Sequence, residues 1–169
     1  MKFNMIWVDR KFMLDQPIEL FPTIVERLRG TPARLEETVR GLPENVLTRP
    51  EGDKWSIQEH VGHMLRAERL WGRRIEDIMN GEAEMYAADL KNNFLPNANQ
   101  IPIQKILADF RSMRIPLIEK LDALTESDVA RSAIHPRLNQ PMRIIDQAYF
   151  AAEHDDHHLA CITRIKRDS

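Results

Sequence analysis

The sequence predicts an all-α fold: a four-helix bundle with an N-terminal arm and a long connection between its second and third helices. Four long segments place apolar residues at helical spacing, and no segment shows the alternation of a convincing strand. No repeat with a period of about 20–50 residues is present. With 169 residues the chain can bury a sizeable core, so we expect a single domain over residues 1–169, with the bundle at about residues 20–167.

The composition excludes several classes of protein. The net charge of -2 shows no basic surplus, which argues against a nucleic-acid partner. No apolar run approaches the roughly 18 residues that span a bilayer, so no membrane partner is expected. The N-terminus carries too many charges for a signal peptide, and the single cysteine, Cys161, excludes a disulfide framework and a Cys-rich zinc site. A cytoplasmic location is therefore expected.

The first helix is expected in two pieces behind an N-terminal arm. Residues 1–20 are apolar enough to pack as an ordered arm with a short helix. Residues 21–29 have a helical pattern that Gly30 should interrupt. Thr31 then provides an N-cap for a second piece that ends near residues 41–43.

The second helix has the clearest boundaries. It opens after Trp55, where Ser56 and Glu59 have the spacing of a capping box. Its helical period continues to about Asn80, and Gly81 provides a left-handed stop.

The second half of the chain contains the long connection and two further helices. Residues 81–101 form the connection, and the third helix occupies roughly residues 102–124, with an expected kink at Pro116. Residues 128–140 are rich in turn formers and could include a short extended pair. The fourth helix should start near Pro141 and run to about Lys166.

A dense group of polar residues lies within the fourth helix. Residues 153–158 contain three histidines and three acids. His154 and His158 are four apart and so lie one turn apart on one face, where they could bind one metal ion but not complete its coordination. On a helical wheel His157 instead groups with Asp146 on the solvent face, so it is a poor ligand candidate.

His63 is the best candidate for a third ligand on the second helix. It lies on the flank between the solvent side, marked by Arg66, Arg69, Arg73 and Asn80, and the apolar side. His154 and His158 occupy the matching flank of the fourth helix, so the three could converge at the mouth of a cleft with water access. His60 lies closer to the core. The alternative is that these are cleft histidines with no ligand role.

Two stretches resemble the DinB-like (damage-inducible) superfamily. Residues 55–64, WSIQEHVGHM, are similar to the start of that family's second helix, where a Trp-Ser pair is followed by a histidine eight residues after the Trp, here His63. His154 and His158 are similar to the family's fourth-helix pair. The resemblance covers about residues 20–167.

The resemblance implies a four-helix bundle that holds one divalent metal ion, zinc or nickel, through His63, His154 and His158. It also implies a homodimer and a small-molecule substrate, with a low-molecular-weight thiol as one candidate. Relatives include thiol S-transferases and proteins described as metal-dependent hydrolases, so an enzyme is the leading hypothesis. The alternatives are a non-catalytic, metal-stabilised stress-response protein and a helical interaction module without metal.

Several residues near these histidines could support a metal site. Imidazole ligands need acceptors on their other ring nitrogens, and the nearby candidates are Glu59, Gln147, Asp155 and Asp156. Asp155 and Asp156 fall toward the core, where a buried salt bridge to an arginine is the alternative interpretation. Cys161 is interpreted as a small buried hydrophobe rather than a fourth ligand.

A run of arginines on the second helix also admits two interpretations. Arg66, Arg69, Arg73 and Arg74 could attract an acidic thiol co-substrate. The alternative is a solvated face whose charges pair with neighbouring acids such as Glu76 and Asp77.

Overall fold

A computed structural model describes residues 6–168, and four long helices form the predicted bundle. They are α1 (Phe21–Val39), α3 (Ile57–Asn80), α4 (Ile103–Asp122) and α6 (Ile144–Arg167), with short helices α2 (Glu44–Leu47) and α5 (Glu126–Val129) in the connections. Helices α1 and α3 each pack against both α4 and α6. Among residues 6–168 no helix is long and apolar enough to cross a membrane.

The core consists of two apolar clusters with a polar layer between them. One cluster contains Leu28 of α1 and Trp71 of α3, and the other contains Leu35 of α1 and Met64 of α3. Between the two clusters each long helix contributes buried polar side chains, which are Thr31, Glu68, Arg114, His154, Asp155 and His158. Burying polar groups costs free energy unless they are hydrogen-bonded, so the side chains of this layer need partners inside the bundle.

The predicted break in the first helix is wrong, because α1 runs unbroken from Phe21 to Val39. A glycine inside a helix costs only about 1 kcal/mol, which packing can offset. Pro32 lacks an N–H and so leaves the carbonyl of Leu28 without its helical donor. The Nη1 atom of Arg114 donates to that carbonyl at 2.8 Å. A side chain from α4 therefore compensates for the proline.

Other boundaries agree more closely with the sequence. Ser56 caps α3, and the capping box with Glu59 is present. Gly81 ends α3 in the left-handed conformation, with φ of 78°. The fourth long helix begins at Ile144 rather than near Pro141, because Pro141 belongs to a strand.

The expected extended pair is an antiparallel hairpin. Strand β1 (Ser132–His135) pairs with β2 (Gln140–Arg143), and Ala133 lies opposite Met142. The backbone of Ile134 also bonds to residues 83 and 85 of the long connection. The hairpin thus anchors the start of that connection beside α6.

The N-terminal arm packs along α6 and covers the face of that helix that was predicted to be exposed to solvent. The backbone N–H groups of Asp15 and Gln16 both donate to Asp146 at 3.0 Å. The ring of Trp7 lies 5.6 Å from that of His157. Asp146 and His157 were both predicted to face water, yet they are only 2% and 8% exposed. The helical wheel was wrong there because it takes no account of chain packed on the outside of the bundle.

Candidate metal centre

Three buried histidines from two helices converge in the polar layer. The Nε2 atom of His63 on α3 lies 2.9 Å from that of His154 on α6, and the Nε2 atom of His158 lies 3.2 Å from that of His154. One potential ligand atom from each lies within 4.8 Å of the others. Two imidazole nitrogens on one tetrahedral zinc are separated by about 3.3 Å. The spacing therefore fits a shared ion.

The tautomer of His63 shows that its Nε2 atom, which faces the cluster, carries a lone pair. Its Nδ1 atom lies 2.6 Å from the carbonyl oxygen of Asn93. A carbonyl only accepts hydrogen bonds, so Nδ1 carries the proton and Nε2 faces His154 as an acceptor. This is the arrangement in which an outer hydrogen bond orients a metal-binding imidazole. The long connection supplies that carbonyl, and no pattern in the sequence indicates this contact.

Burial keeps the cluster neutral. Desolvation lowers the pKa of His63, although the bond to Asn93 opposes the shift. Burial lowers the pKa of His154 and of His158 well below the ordinary value, and the neighbouring histidines add to both shifts. Neutral imidazole is the form that binds metals, so the cluster is in the required state at neutral pH.

His60, which the sequence placed nearer the core, contacts the cluster from outside. Its Nδ1 atom lies 2.9 Å from the Nδ1 atom of His158. Burial and the charge of His63 lower its pKa to about 3. A hydrogen bond between the two Nδ1 atoms fixes the ring of His158 with Nε2 toward the other two histidines. Trp55 packs against this group, with its ring 5.5 Å from His60 and 4.8 Å from His63.

The predicted supporting acids on α6 take part in salt bridges instead. Asp155 Oδ2 accepts from Arg114 Nη1 at 2.8 Å, which agrees with the buried salt-bridge interpretation. Asp156 pairs with Arg27 and Arg34 at the edge of the bundle. Neither carboxylate has a hydrogen bond to a ring nitrogen of the cluster.

The remaining candidates also lie apart from the ring nitrogens. Glu59 accepts from the backbone N–H of Ser56 as part of the helix cap. Gln147 is buried, and its amide has no hydrogen-bond partner among residues 6–168. The Sγ atom of Cys161 is 3.8 Å from the Nε2 atom of His157, which is outside the cluster.

A cavity of about 720 Å³ lies beside the cluster, with His63 and His154 in its wall. This volume is typical of sites for small molecules. Three segments outside the bundle close it: the arm at Trp7, the connection over residues 86–93, and the hairpin turn at Arg137. The bundle contributes aromatic side chains, including Trp71 and Phe150.

The fold and the site together define a four-helix bundle with a candidate three-histidine metal centre open to a cavity. The model of the DinB superfamily matches residues 27–162, and the chain belongs to that superfamily. The sequence resemblance is thereby confirmed. No curated protein matches the chain significantly.

Two solved structures share the fold. YfiT from Bacillus subtilis, described as a probable metal-dependent hydrolase with an unusual four-helix bundle topology, is 20% identical with a TM-score of 0.83. The alignment covers 94% of this chain and 93% of that one. A protein from Streptococcus pneumoniae is 12% identical with a TM-score of 0.63, with the same coverage of both chains. At these identities the likeness establishes the bundle fold alone.

Proposed function

We propose that this protein is a metal-dependent enzyme that acts on a small molecule at the three-histidine centre. The observation that carries the proposal is the convergence of the Nε2 atoms of His63, His154 and His158 beside a 720 Å³ cavity whose wall includes His63 and His154. Three protein ligands leave a coordination position free for water or substrate, which is the pattern of catalytic rather than structural zinc sites.

The residues of the chain would divide the remaining tasks. Asn93 and His60 hold the rings of His63 and His158 so that their Nε2 atoms face inward. Trp71 and Phe150 would bind an apolar part of the substrate beside the cluster. A bound divalent ion would supply Lewis acidity and lower the pKa of a coordinated water or thiol. Imidazole ligands suit zinc and nickel equally, so either metal agrees with the site.

Two reaction classes use such a centre. A hydrolase would use it to activate water, and the description of YfiT as a probable metal-dependent hydrolase supports this class. A thiol S-transferase would use it to activate a low-molecular-weight thiol for attack on an electrophile. The cavity is large enough for a thiol and a second small molecule, which supports the transferase.

Replacing His158 with alanine tests the proposal directly. We expect the metal content of untagged protein, measured by elemental analysis, to fall from one ion per chain to near zero. Thiol conjugation to a model electrophile and hydrolysis of model esters should be lost in parallel, because both need the same ion.

His157→Ala is the matched control, since His157 is the next residue along α6 and is similarly buried. It should retain the metal and the activity. Unchanged metal stoichiometry in the His158→Ala protein would refute the ligand assignment.

A further inference from the structure

We infer that the cavity beside the three histidines binds an organic anion, and that Arg74 and Arg137 hold its carboxylate or phosphate group. This inference rests on the proposed function, because it names the class of substrate that the same cavity would take. The evidence for it comes from residues of the cavity wall other than the histidines of the cluster and does not depend on the metal.

Arg74 is a buried cation without a carboxylate partner. It is 2% exposed, and no acid among residues 6–168 lies within salt-bridge distance of it. Its Nε atom donates to the carbonyl of Tyr86 at 3.0 Å, and its Nη1 atom lies 2.9 Å from His135 Nε2. The Nη2 atom has no hydrogen-bond partner among the described residues. Buried guanidinium groups are normally paired with an acid, so the missing partner points to a ligand.

His135 cannot balance the charge of Arg74. Its Nδ1 atom faces the backbone N–H groups of Arg137 and Leu138, both at 3.2 Å. Its Nε2 atom faces Arg74, which is also a donor. A neutral imidazole has only one accepting nitrogen, so donors outnumber acceptors around this ring. Burial, together with the charges of Arg74 and Arg137, lowers the pKa of His135 to about 4, which keeps the ring neutral.

The nearby acids are occupied by other groups. Asp77 accepts from Arg73 Nε with one oxygen and from the backbone N–H of Tyr86 with the other, both at 2.8 Å. Asp89 is the one acid in the cavity wall among residues 6–168, and its carboxylate accepts from residues 91 and 92 of its own turn. Among residues 6–168 neither carboxylate has a hydrogen bond or a salt bridge to Arg74.

The other arginines of the wall reinforce the positive charge. Arg137 donates to the carbonyl of Val8 and has no acid partner among residues 6–168. Burial and the repulsion from Arg137 lower the pKa of Arg74 to about 10, although the charge of Asp77 partly opposes the shift. Arg66 and Arg69 line the same cavity without an ion pair in the described chain. A guanidinium group binds a carboxylate or a phosphate through two parallel hydrogen bonds, and an anion placed here would remove the repulsion.

Binding of three related probes tests the inference: phenylacetate, phenyl phosphate and the neutral 2-phenylethanol. Titration calorimetry is done on the wild type and on His158→Ala protein, which should lack the metal. We expect at least one anion to bind about tenfold or more tightly than the alcohol in both proteins, as charge-assisted hydrogen bonds predict. The anion that binds more tightly shows whether the site prefers a carboxylate or a phosphate group.

Variants of the arginines complete the test. Arg74→Met and Arg137→Gln should each weaken anion binding about tenfold or more and leave the metal stoichiometry unchanged. If the Arg74→Met protein does not fold, the anion affinity of the Arg137→Gln protein still tests the inference. Arg40→Gln is the control, because Arg40 is exposed, lies outside the cavity wall and pairs with Glu37.

Equal binding of the alcohol and both anions would overturn the inference, and so would unchanged affinity in the Arg137→Gln protein. Loss of anion binding in His158→Ala protein would overturn it as well, because the anion would then bind to the metal. By contrast, a failure of the proposed function would appear as missing metal in the wild type, with anion binding intact.

Discussion

Two polar clusters occupy the middle of this bundle, and the same two helices contribute to both. Helix α3 provides His63 to one cluster and Glu68 to the other. Helix α6 provides His154 to the first and the adjacent Asp155 to the second. Both clusters are almost fully buried, yet their chemistry is opposite, since one holds charges and the other holds neutral rings.

The ionic cluster is satisfied mainly by the chain itself. Arg114 donates to both oxygens of Glu68, at 2.8 Å and 2.6 Å, and to Asp155 at 2.8 Å. Burial opposes the charge of Arg114, but the two carboxylates raise its pKa. Burial raises the pKa of Glu68 against the effect of Arg114. Thr31 adds a donor to Asp155. This cluster joins all four long helices and has a structural role.

The histidine cluster lacks such internal compensation. The Nε2 atoms of three histidines face one another. The bond from His63 Nδ1 to Asn93 leaves the Nε2 atom of His63 with a lone pair and no proton to donate. The comparison shows how buried polar groups can be sorted. Groups that bond to one another hold the fold together, whereas ring nitrogens directed at a common point beside a cavity mark a place for a ligand.

Breaking the ionic cluster should have the largest effect on stability. Arg114→Met should lower the free energy of unfolding by about 3–5 kcal/mol, because it leaves two buried acids without their cation. Urea unfolding of metal-free protein measures the loss. Arg111→Met is the control on the same helix, because Arg111 forms an exposed pair with Glu36. That pair should contribute less than about 1 kcal/mol. Similar small losses in both variants would contradict the structural role.

Metal should stabilise the protein by a smaller amount. At free zinc or nickel about 100 times the dissociation constant, the free energy of unfolding should rise by about 2.7 kcal/mol through mass action. His63→Ala should show no such gain. The apolar clusters on both sides of the polar layer are complete without an ion, so metal-free protein should keep its helical circular dichroism. If removal of the metal unfolds the chain, the non-catalytic, metal-stabilised alternative is favoured instead.

Patterns that a single helix encodes could be predicted from the sequence. The capping box at Ser56, the stop at Gly81 and the spacing of His154 and His158 are all local, and the structure contains each of them. His63 came from its position on the flank of the second helix together with the family resemblance, because no pattern within α6 points to it. The structure brings these three histidines together, and their role as ligands stays a prediction.

Features that depend on distant parts of the chain could not be predicted. The wheel placed His157 in water because the packing of Trp7 on α6 has no signature within that helix. Gly30 and Pro32 looked like a helix break because the compensating donor, Arg114, is more than 80 residues away. The hydrogen bond from His63 to the carbonyl of Asn93 could not be predicted either, since every residue has a backbone carbonyl and the sequence does not distinguish this one.

His135 is a buried imidazole that belongs to neither cluster, so it tests whether burial beside cations is enough to keep a histidine neutral. Its folded-state pKa is about 4 against an ordinary 6.5, so on acidification the unfolded chain takes up a proton that the folded protein does not. Stability should therefore fall between about pH 6.5 and pH 4. Metal-free His135→Asn protein should lose about 1–2 kcal/mol less than wild type between about pH 7 and pH 5, as urea unfolding at each pH would show. Identical slopes would mean that His135 titrates at its ordinary pKa in the folded protein, and the neutrality of His63, His154 and His158 could then not be attributed to burial alone.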